Sequence, residues 1–255
     1  MGHWYSRDGV LFNTTLRTAR KDKLFASVTE QQKIEGSPGL EQWKQNELLK
    51  LSYEFPAIAQ EDCPSFIRRL RGQDWDRAKG TMELGTRIHD ALQTCLEKSV
   101  GPEAVDDDLA PYVIPALEYF QEKEFAIEHL EHCVVNLGEA YAGMADCIAK
   151  TPCGKKFILD WKSKKTKPGE KVKPYHNQIE QVSAYAGAYW GVEALENLEV
   201  YGVNAFISTT EVNHGRARFE KAVYTPEEMW NAYKNFCVVA KLWRIRNKYD
   251  PRESN

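Results

Sequence analysis

The sequence predicts an α+β fold in which a helix, three strands, a second helix and a further strand follow one another. Three observations carry this. Leu84, Ile88, Leu92 and Leu96 recur every four residues, the spacing of one buried helix stripe. Three strand-like runs cover residues 129–137, 141–150 and 155–162, with Gly154 marking the turn before the third. A helical stretch over about 175–191 then leads into strand patterns near 200–208 and 216–224.

Taken in order, residues 1–29 read as a small β element, because Asp8-Gly9 is a strong hairpin turn signal. Ser27 and Thr29 stand before a helical region, where such hydroxyls cap a helix or hold a phosphate. Ser37-Pro38-Gly39 opens a helix through Leu40, Trp43, Leu48 and Leu51, with proline in the first turn. Residues 61–79 are helical or irregular and hold Pro64, Gly72 and an arginine cluster. Residues 80–98 form the first clear helix, with His89 beside its apolar stripe. Gly85 lies one turn earlier on the same side, and a helical glycine costs about 1 kcal/mol relative to alanine, so it invites a reason.

An acidic loop over 101–108 precedes a second helix over 111–128, carrying Val113, Leu117 and Phe120. After the three strands comes a polar, basic loop over 163–174. The last helix starts with Thr225 as cap and Pro226 at its first position, and its stripe runs through Trp230, Tyr233, Phe236 or Cys237, Ala240 and Trp243. The pattern divides the chain into residues 1–79, a β-hairpin with helices, and residues 80–255, a core closed by the last helix.

The chain has 255 residues, enough for a large core, and a formal net charge of −3, which does not announce a nucleic-acid binder. The distribution of charge says more. Lys155, Lys156, Lys162, Lys164, Lys165, Lys167, Lys171 and Lys173 fall close together, and Arg68, Arg69, Arg71, Arg77, Lys79 and Arg87 form a second cluster. Local positive charge is what phosphate contact needs, although lysine-rich loops also serve solubility. The six cysteines include no C-x-x-C pair and no zinc spacing. No run is long and apolar enough to span a membrane, and no secretory signal is visible, so the chain reads as soluble, intracellular and cytoplasmic. A phage or bacterial source, acting in the host cytoplasm, fits that reading. A Gly-X-X-X-X-Gly-Lys-[Ser/Thr] loop is absent, so ATP-driven unwinding would need a partner.

The chemistry concentrates between Tyr141 and Lys162. Asp160-Trp-Lys162 ends an apolar strand, and the period of two puts carboxylate and amine on one face. Asp146 sits on the preceding strand. A mid-strand aspartate is unfavourable, and two flanked by apolar residues need compensation, which metal ligation supplies. Two carboxylates and a lysine at a strand end suit divalent-metal-assisted hydrolysis of a phosphodiester. Lys162 would orient the attacking water or stabilise developing negative charge. Glu131, two strands from Asp160, is a candidate accessory acid of uncertain register. Gln181 and Tyr185 share a helix face, with Gln178 one turn before. His129, His132, His176 and His214 match nothing and read as surface or loop residues.

Gly85-Thr-Arg-Ile-His89, Gly143-Met-Ala-Asp146, Asp160-Trp-Lys162 and Gln181-Val-Ser-Ala-Tyr185, in that order over roughly residues 80–210, resemble the RecB-like branch of the PD-(D/E)XK nucleases. The segments Ser27-Val-Thr29 and Leu40-Glu-Gln-Trp-Lys are similar, less specifically, to the N-terminal part of the mitochondrial genome maintenance exonuclease group and its phage relatives. The resemblance implies an αβββαβ core with a mixed sheet flanked by helices, and an N-terminal, mostly helical DNA-entry region. It implies His89, Asp146, Asp160 and the Trp161 backbone carbonyl as ligands of Mg²⁺ or Mn²⁺, and imidazole favours Mn²⁺ activity. Gln181 and Tyr185 would bind the DNA backbone and support the site.

The expected activity is a metal-dependent DNA exonuclease that prefers single strands, working from 5′ ends. Lys164, Lys165, Lys167, Arg68, Arg69, Ser27 and Thr29 are candidate DNA contacts, and Trp43, Trp75 and Tyr175 candidate stacking faces. The expected partner is DNA, single-stranded or with single-stranded ends, with a single-strand-binding or recombination protein alongside and no membrane. Some relatives hold an iron–sulfur cluster on an N-terminal cysteine and a closely spaced C-terminal set. Only Cys237 lies near the C-terminus, so no cluster is expected. Two rival readings share the motifs: a structure-specific endonuclease, and a nucleic-acid-binding module that has lost activity.

Overall fold

The structure is a computed structural model that describes residues 2–36 and 38–253. Ser37, expected at a helix start, lies outside the described residues. The elements run β1 (Gly2–Tyr5), β2 (Leu11–Thr14), α1 (Leu16–Asp22), β3 (Phe25–Ala26), α2 (Val28–Gln32), α3 (Pro38–Glu54), α4 (Cys63–Lys98), α5 (Ala110–Lys123), β4 (Ala126–Asn136), β5 (Tyr141–Lys150), β6 (Lys156–Lys164), α6 (His176–Tyr189), α7 (Val192–Glu196), β7 (Val200–Asn213), β8 (Arg216–Tyr224) and α8 (Pro226–Asn247). The fold is α+β.

Two compact units emerge, residues 1–35 with 89–255, and residues 36–88. The first 35 residues, expected with the helices that follow them, therefore belong to the unit that holds the large sheet. The reason is aromatic packing. Trp4 of β1 meets Trp243 of α8 and Tyr249 with ring centroids 5.8 and 6.3 Å apart. The Tyr249 hydroxyl donates to the carbonyls of Ala19 and Leu24 at 3.0 and 2.8 Å, and Arg20 donates to the carbonyl of Asn247. The hairpin turn at Asp8-Gly9 forms as expected, with Gly9 at a φ of 85°.

The larger sheet has the order β4-β5-β6-β7-β8, with β6 and β7 parallel and the other neighbours antiparallel, so it is mixed. One face carries α6 and α8, through a core of Tyr141, Ala145, Ile148, Ile158, Val182, Tyr185, Met229 and Phe236. On the other face Tyr119 and Phe120 of α5 pack with Phe125, Trp161 and Phe219. The parallel β6–β7 pair requires the crossover that α6 and α7 supply. α8 opens with the expected capping box: Thr225 accepts from the Glu228 N–H, and Glu228 accepts from the Thr225 N–H.

Boundaries differ from the sequence reading: α1 lies within the stretch read as a β element, β4 begins at Ala126, β7 runs on to Asn213, and α4 and α5 change most. The helix expected over 111–128 stops at Lys123, because Glu124 takes a left-handed φ of 49° and β4 begins at Ala126. The residues expected as helical or irregular over 61–79 join the helix over 80–98 in one continuous α4, since Gly72 and Gly80 are tolerated in its interior and Pro64 occupies its first turn.

In the unit of residues 36–88, α3 and the first part of α4 are linked by a 2.7 Å ion pair between Arg77 and Glu54. Arg77 also lies over the Phe55 ring at 5.6 Å. Among the described residues, no helix is long and apolar enough to cross a membrane.

Candidate metal centre and active site

The site forms where two strands part. β5 and β6 pair from Lys150↔Lys156 to Cys147↔Leu159, and the ladder goes no further. The next residues on the two strands are Asp146 and Asp160. With no main-chain acceptor opposite it, the Trp161 N–H donates to Asp146 Oδ2 at 2.7 Å. A buried N–H must find a partner, and here a carboxylate replaces the ladder carbonyl. The mid-strand aspartate is thereby oriented by the strand it has separated from.

On the other side of β5, the ladder with β4 pairs Leu130 with Cys147 and His132 with Ala145, omitting Glu131 and Asp146 between them. Glu131 has a φ of 44°, a left-handed conformation that is rare for a residue within a strand and costs on the order of 1–3 kcal/mol. His89 and Glu131 bring one ligand atom each together with Asp146, all within 4.8 Å of one another. His89 Nδ1 is 4.0 Å from Asp146 Oδ2.

These three residues could hold a cation. One imidazole nitrogen and two carboxylate oxygens suit Mn²⁺ or Mg²⁺ chemistry. Burial pushes the Asp146 carboxyl well above its ordinary range, and nearby Asp160 adds to this, while Lys162 and the Trp161 N–H oppose it. Burial likewise raises Glu131, with Asp90, Asp160 and Glu97 contributing. His89 is held below its ordinary value by burial first; Asp160 and a hydrogen bond to the Trp161 backbone pull the other way. Since the Trp161 N–H is given to Asp146, its carbonyl is the group that meets His89. A cation among these donors would offset the crowding of negative charge.

Asp160, expected from sequence as a ligand, lies beside this three-residue group. It is 1% exposed, and each of its oxygens accepts one hydrogen bond. Lys162 Nζ donates to Oδ1 at 2.9 Å, and Asn204 Nδ2 donates to Oδ2 at 2.8 Å. Asn204 is the parallel-register partner of Asp160 on β7, and it is fully buried. The Tyr224 hydroxyl donates to Asn204 Oδ1 at 2.8 Å, which fixes the amide so that its NH₂ faces Asp160. Burial acts to lower the Lys162 pKa, but Asp160 and Asp146 outweigh it and leave the amine above its ordinary value. Lys162 is therefore a charged ammonium beside the three-residue group.

Gln181 and Tyr185 meet as expected on one face of α6, with Gln181 Nε2 donating to the Tyr185 hydroxyl at 2.8 Å. Both are buried on the sheet face that α6 covers, and the Tyr185 hydroxyl lies within electrostatic reach of Asp160 and Asp146. Tyr185 explains Gly143. A Cβ at that position would stand 2.3 Å from Tyr185 Cε1. Gln178 is spent on the α6 cap, where it accepts from the Tyr175 N–H at 2.9 Å.

Several expected DNA contacts are committed elsewhere. Arg69 makes a two-pronged bond to Glu61, at 2.9 and 2.8 Å, and donates to the Pro56 carbonyl. Ser27 caps α2 by accepting from the Glu30 N–H at 3.0 Å, and its hydroxyl lies 3.2 Å from that of Thr29. Lys164 continues the face of Asp160 and Lys162 and folds inward, lying 4.7 Å over Tyr175 and donating to the Lys173 carbonyl at 3.2 Å. Lys165, Lys167 and Arg68 are exposed. Trp43, Trp75 and Tyr175 are exposed by 57, 63 and 61%, so each presents a ring face to solvent. His129 and His132 stack on each other at 4.1 Å, with Tyr189 edge-on to both.

Sequence reasoning did not include Asn204 or Tyr224. The signal was available for Asn204, the one polar residue in the apolar run Val203-Asn-Ala-Phe-Ile207. A buried amide in such a strand demands a partner.

No family model matches the chain, and no curated protein does. Among solved structures the chain is similar to one described as the crystal structure of SSO0001, with 15% identity and a TM-score of 0.32, over 82% of this chain and 89% of that one. A likeness of that size identifies neither a family nor an activity.

Proposed function

We propose that the chain is a divalent-metal-dependent deoxyribonuclease with a PD-(D/E)XK core of the RecB-like branch. The observation that carries the reading is the convergence of His89, Glu131 and Asp146 at a strand fork, with the Lys162 ammonium held beside them by Asp160. A divalent cation bound there supplies Lewis-acid charge to a phosphate oxygen and lowers the pKa of a bound water. His89, Glu131 and Asp146 would hold it, with the Trp161 carbonyl adjacent. Lys162 places a fixed positive charge where the phosphate gains negative charge during attack. Asp160 acts as the anchor of that lysine.

The substrate we infer is DNA with a single-stranded end, digested exonucleolytically from the 5′ end. Exposed Trp43 and Trp75, with Arg68 in the same unit, support a single strand held by stacking and charge. The exposed lysines after β6 support phosphate contact. The test is digestion of end-labelled linear and closed circular single and double strands in Mg²⁺, in Mn²⁺ and in excess chelator. Cleavage in either metal, none in chelator and a preference for linear single strands are expected. Robust cleavage in chelator overturns the metal site. Equal rates on linear and circular single strands would instead make the enzyme an endonuclease.

A further inference from the structure

Residues 165–175, between β6 and α6, contain no helix or strand, yet their backbone is tied down along its length. The Thr166 N–H donates to Thr210 Oγ1 at 2.9 Å, and the Thr210 hydroxyl donates back to the Thr166 carbonyl at 2.8 Å. The Thr166 hydroxyl lies 2.6 Å from that of Ser208 and bonds the Glu211 carboxylate. The Val172 N–H donates to Glu220 Oε2 at 3.3 Å.

Arg218 of β8 is the centre of this arrangement. It donates to the carbonyls of Lys167 and Glu170 at 3.0 and 2.5 Å, and to the carboxylates of Glu211 and Glu220. β7 provides the platform because it runs on to Asn213, past the end of β6, and its register with β8 breaks between Ile207 and Val212. The stretch that leaves the ladder holds Ser208, Thr210 and Glu211.

Polar groups of β7 and β8 are thus spent on the loop's backbone and on the Thr166 hydroxyl, while Lys165, Lys167, Lys171 and Lys173 remain exposed, Lys167 in a solvent-exposed 3.6 Å pair with Glu170. A loop that served only solubility would need no such anchoring. We propose that Arg218 is a positioning residue that presents these four lysines as a preformed track for the phosphates of a nucleic-acid strand. This rests on the nuclease reading. Preformed contacts bind more tightly because less side-chain and loop freedom is lost on association. Lysine cannot replace Arg218, since one ammonium cannot span two carbonyls and two carboxylates at once.

The experiment compares wild type with Arg218→Ala and with Thr210→Val, which loosens the same loop without removing a charge. Three quantities are read: the rate of trypsin cleavage within residues 165–173, affinity for labelled oligothymidylate in chelator, and the split of kcat from KM for single-stranded DNA in Mn²⁺. Both variants are expected to be cut faster in the loop. Affinity for the oligonucleotide should fall and KM should rise, by about tenfold for Arg218→Ala, while kcat stays within about twofold. Unchanged trypsin sensitivity overturns the clamp. Faster loop cleavage with unchanged affinity and KM overturns the track. If wild type neither binds nor cuts the strand, the nuclease reading itself fails. If wild type does both and the variants bind equally well, only the role of Arg218 fails.

Discussion

Gly143→Ala adds one methyl group at the point where α6 presses on β5. The Cβ would stand 2.3 Å from Cε1 of Tyr185 and 3.2 Å from Cδ1 and Cζ. Carbon atoms rest about 3.5 Å apart or more, so the ring must retreat by roughly 1 Å. It has no easy path, being 4% exposed with its hydroxyl bonded to Gln181. Gly143 does not have a positive φ, so the effect is steric and not a matter of backbone strain. Overpacking of this kind costs about 1–3 kcal/mol. For a chain of this size that corresponds to a fall in Tm of roughly 2–12 °C. Urea unfolding measures it directly, as a lower midpoint at unchanged slope. In a Tyr185→Ala background the same substitution should cost less than about 0.5 kcal/mol, because its clash partner is gone. Equal costs in the two backgrounds, or a cost below about 0.5 kcal/mol in the wild-type background, would refute the packing argument.

Glu131→Gln should weaken Mn²⁺ binding by roughly tenfold or more, whereas Asp160→Asn should leave most of it intact, since Asp160 serves Lys162 and Asn204; isothermal calorimetry separates the two, and equal losses would return Asp160 to the ligand set. Lys162→Ala should abolish cleavage with metal affinity retained, and near-normal turnover at saturating metal would remove its transition-state role. Asn204→Ala should destabilise the fold by about 2–4 kcal/mol, because it removes the partner of buried Asp160 Oδ2 and of the Tyr224 hydroxyl together; a loss below about 1 kcal/mol in denaturant would mean that the bonds are not made. The Asp250 carboxyl is held below its ordinary value by its hydrogen bonds from Arg252, with Arg244 also nearby. Because its pKa is depressed in the folded chain, the stabilisation is present above the unfolded carboxylate pKa and fades as pH falls through the folded one. Asp250→Asn should therefore lower Tm at neutral pH and by progressively less in acid; a deficit that grows in acid would contradict this.

What the sequence made legible follows simple periodicities. A stripe every four residues marked the helix that bears His89, and alternation put Asp160 and Lys162 on one face, where they meet at 2.9 Å. The capping box at Thr225 was readable because its signal is local. Glu131 was not placeable, since its entry into the site depends on a left-handed backbone that breaks strand alternation, and no residue type at that position announces it. Asn204 comes to Asp160 through a parallel crossover, so the pairing joins residues 44 apart that no local pattern links. Arg69 illustrates the converse: a basic cluster can be counted from sequence, but its pairing with Glu61 depends on where the chain turns back.

The mutual grip of Trp4, Trp243 and Tyr249 sets a timetable for synthesis. The bond from Tyr249 to Ala19 joins groups 230 residues apart. At roughly 5–20 residues per second a ribosome needs on the order of 10–50 s to deliver the second partner after the first. During that interval the Trp4 indole has its near-sequence neighbours Ala19, Leu24 and Ala26 but lacks both aromatic partners. The opening strand is then exposed to chaperones and proteases, and to pairing with another unfinished chain, in a way that the finished protein never is.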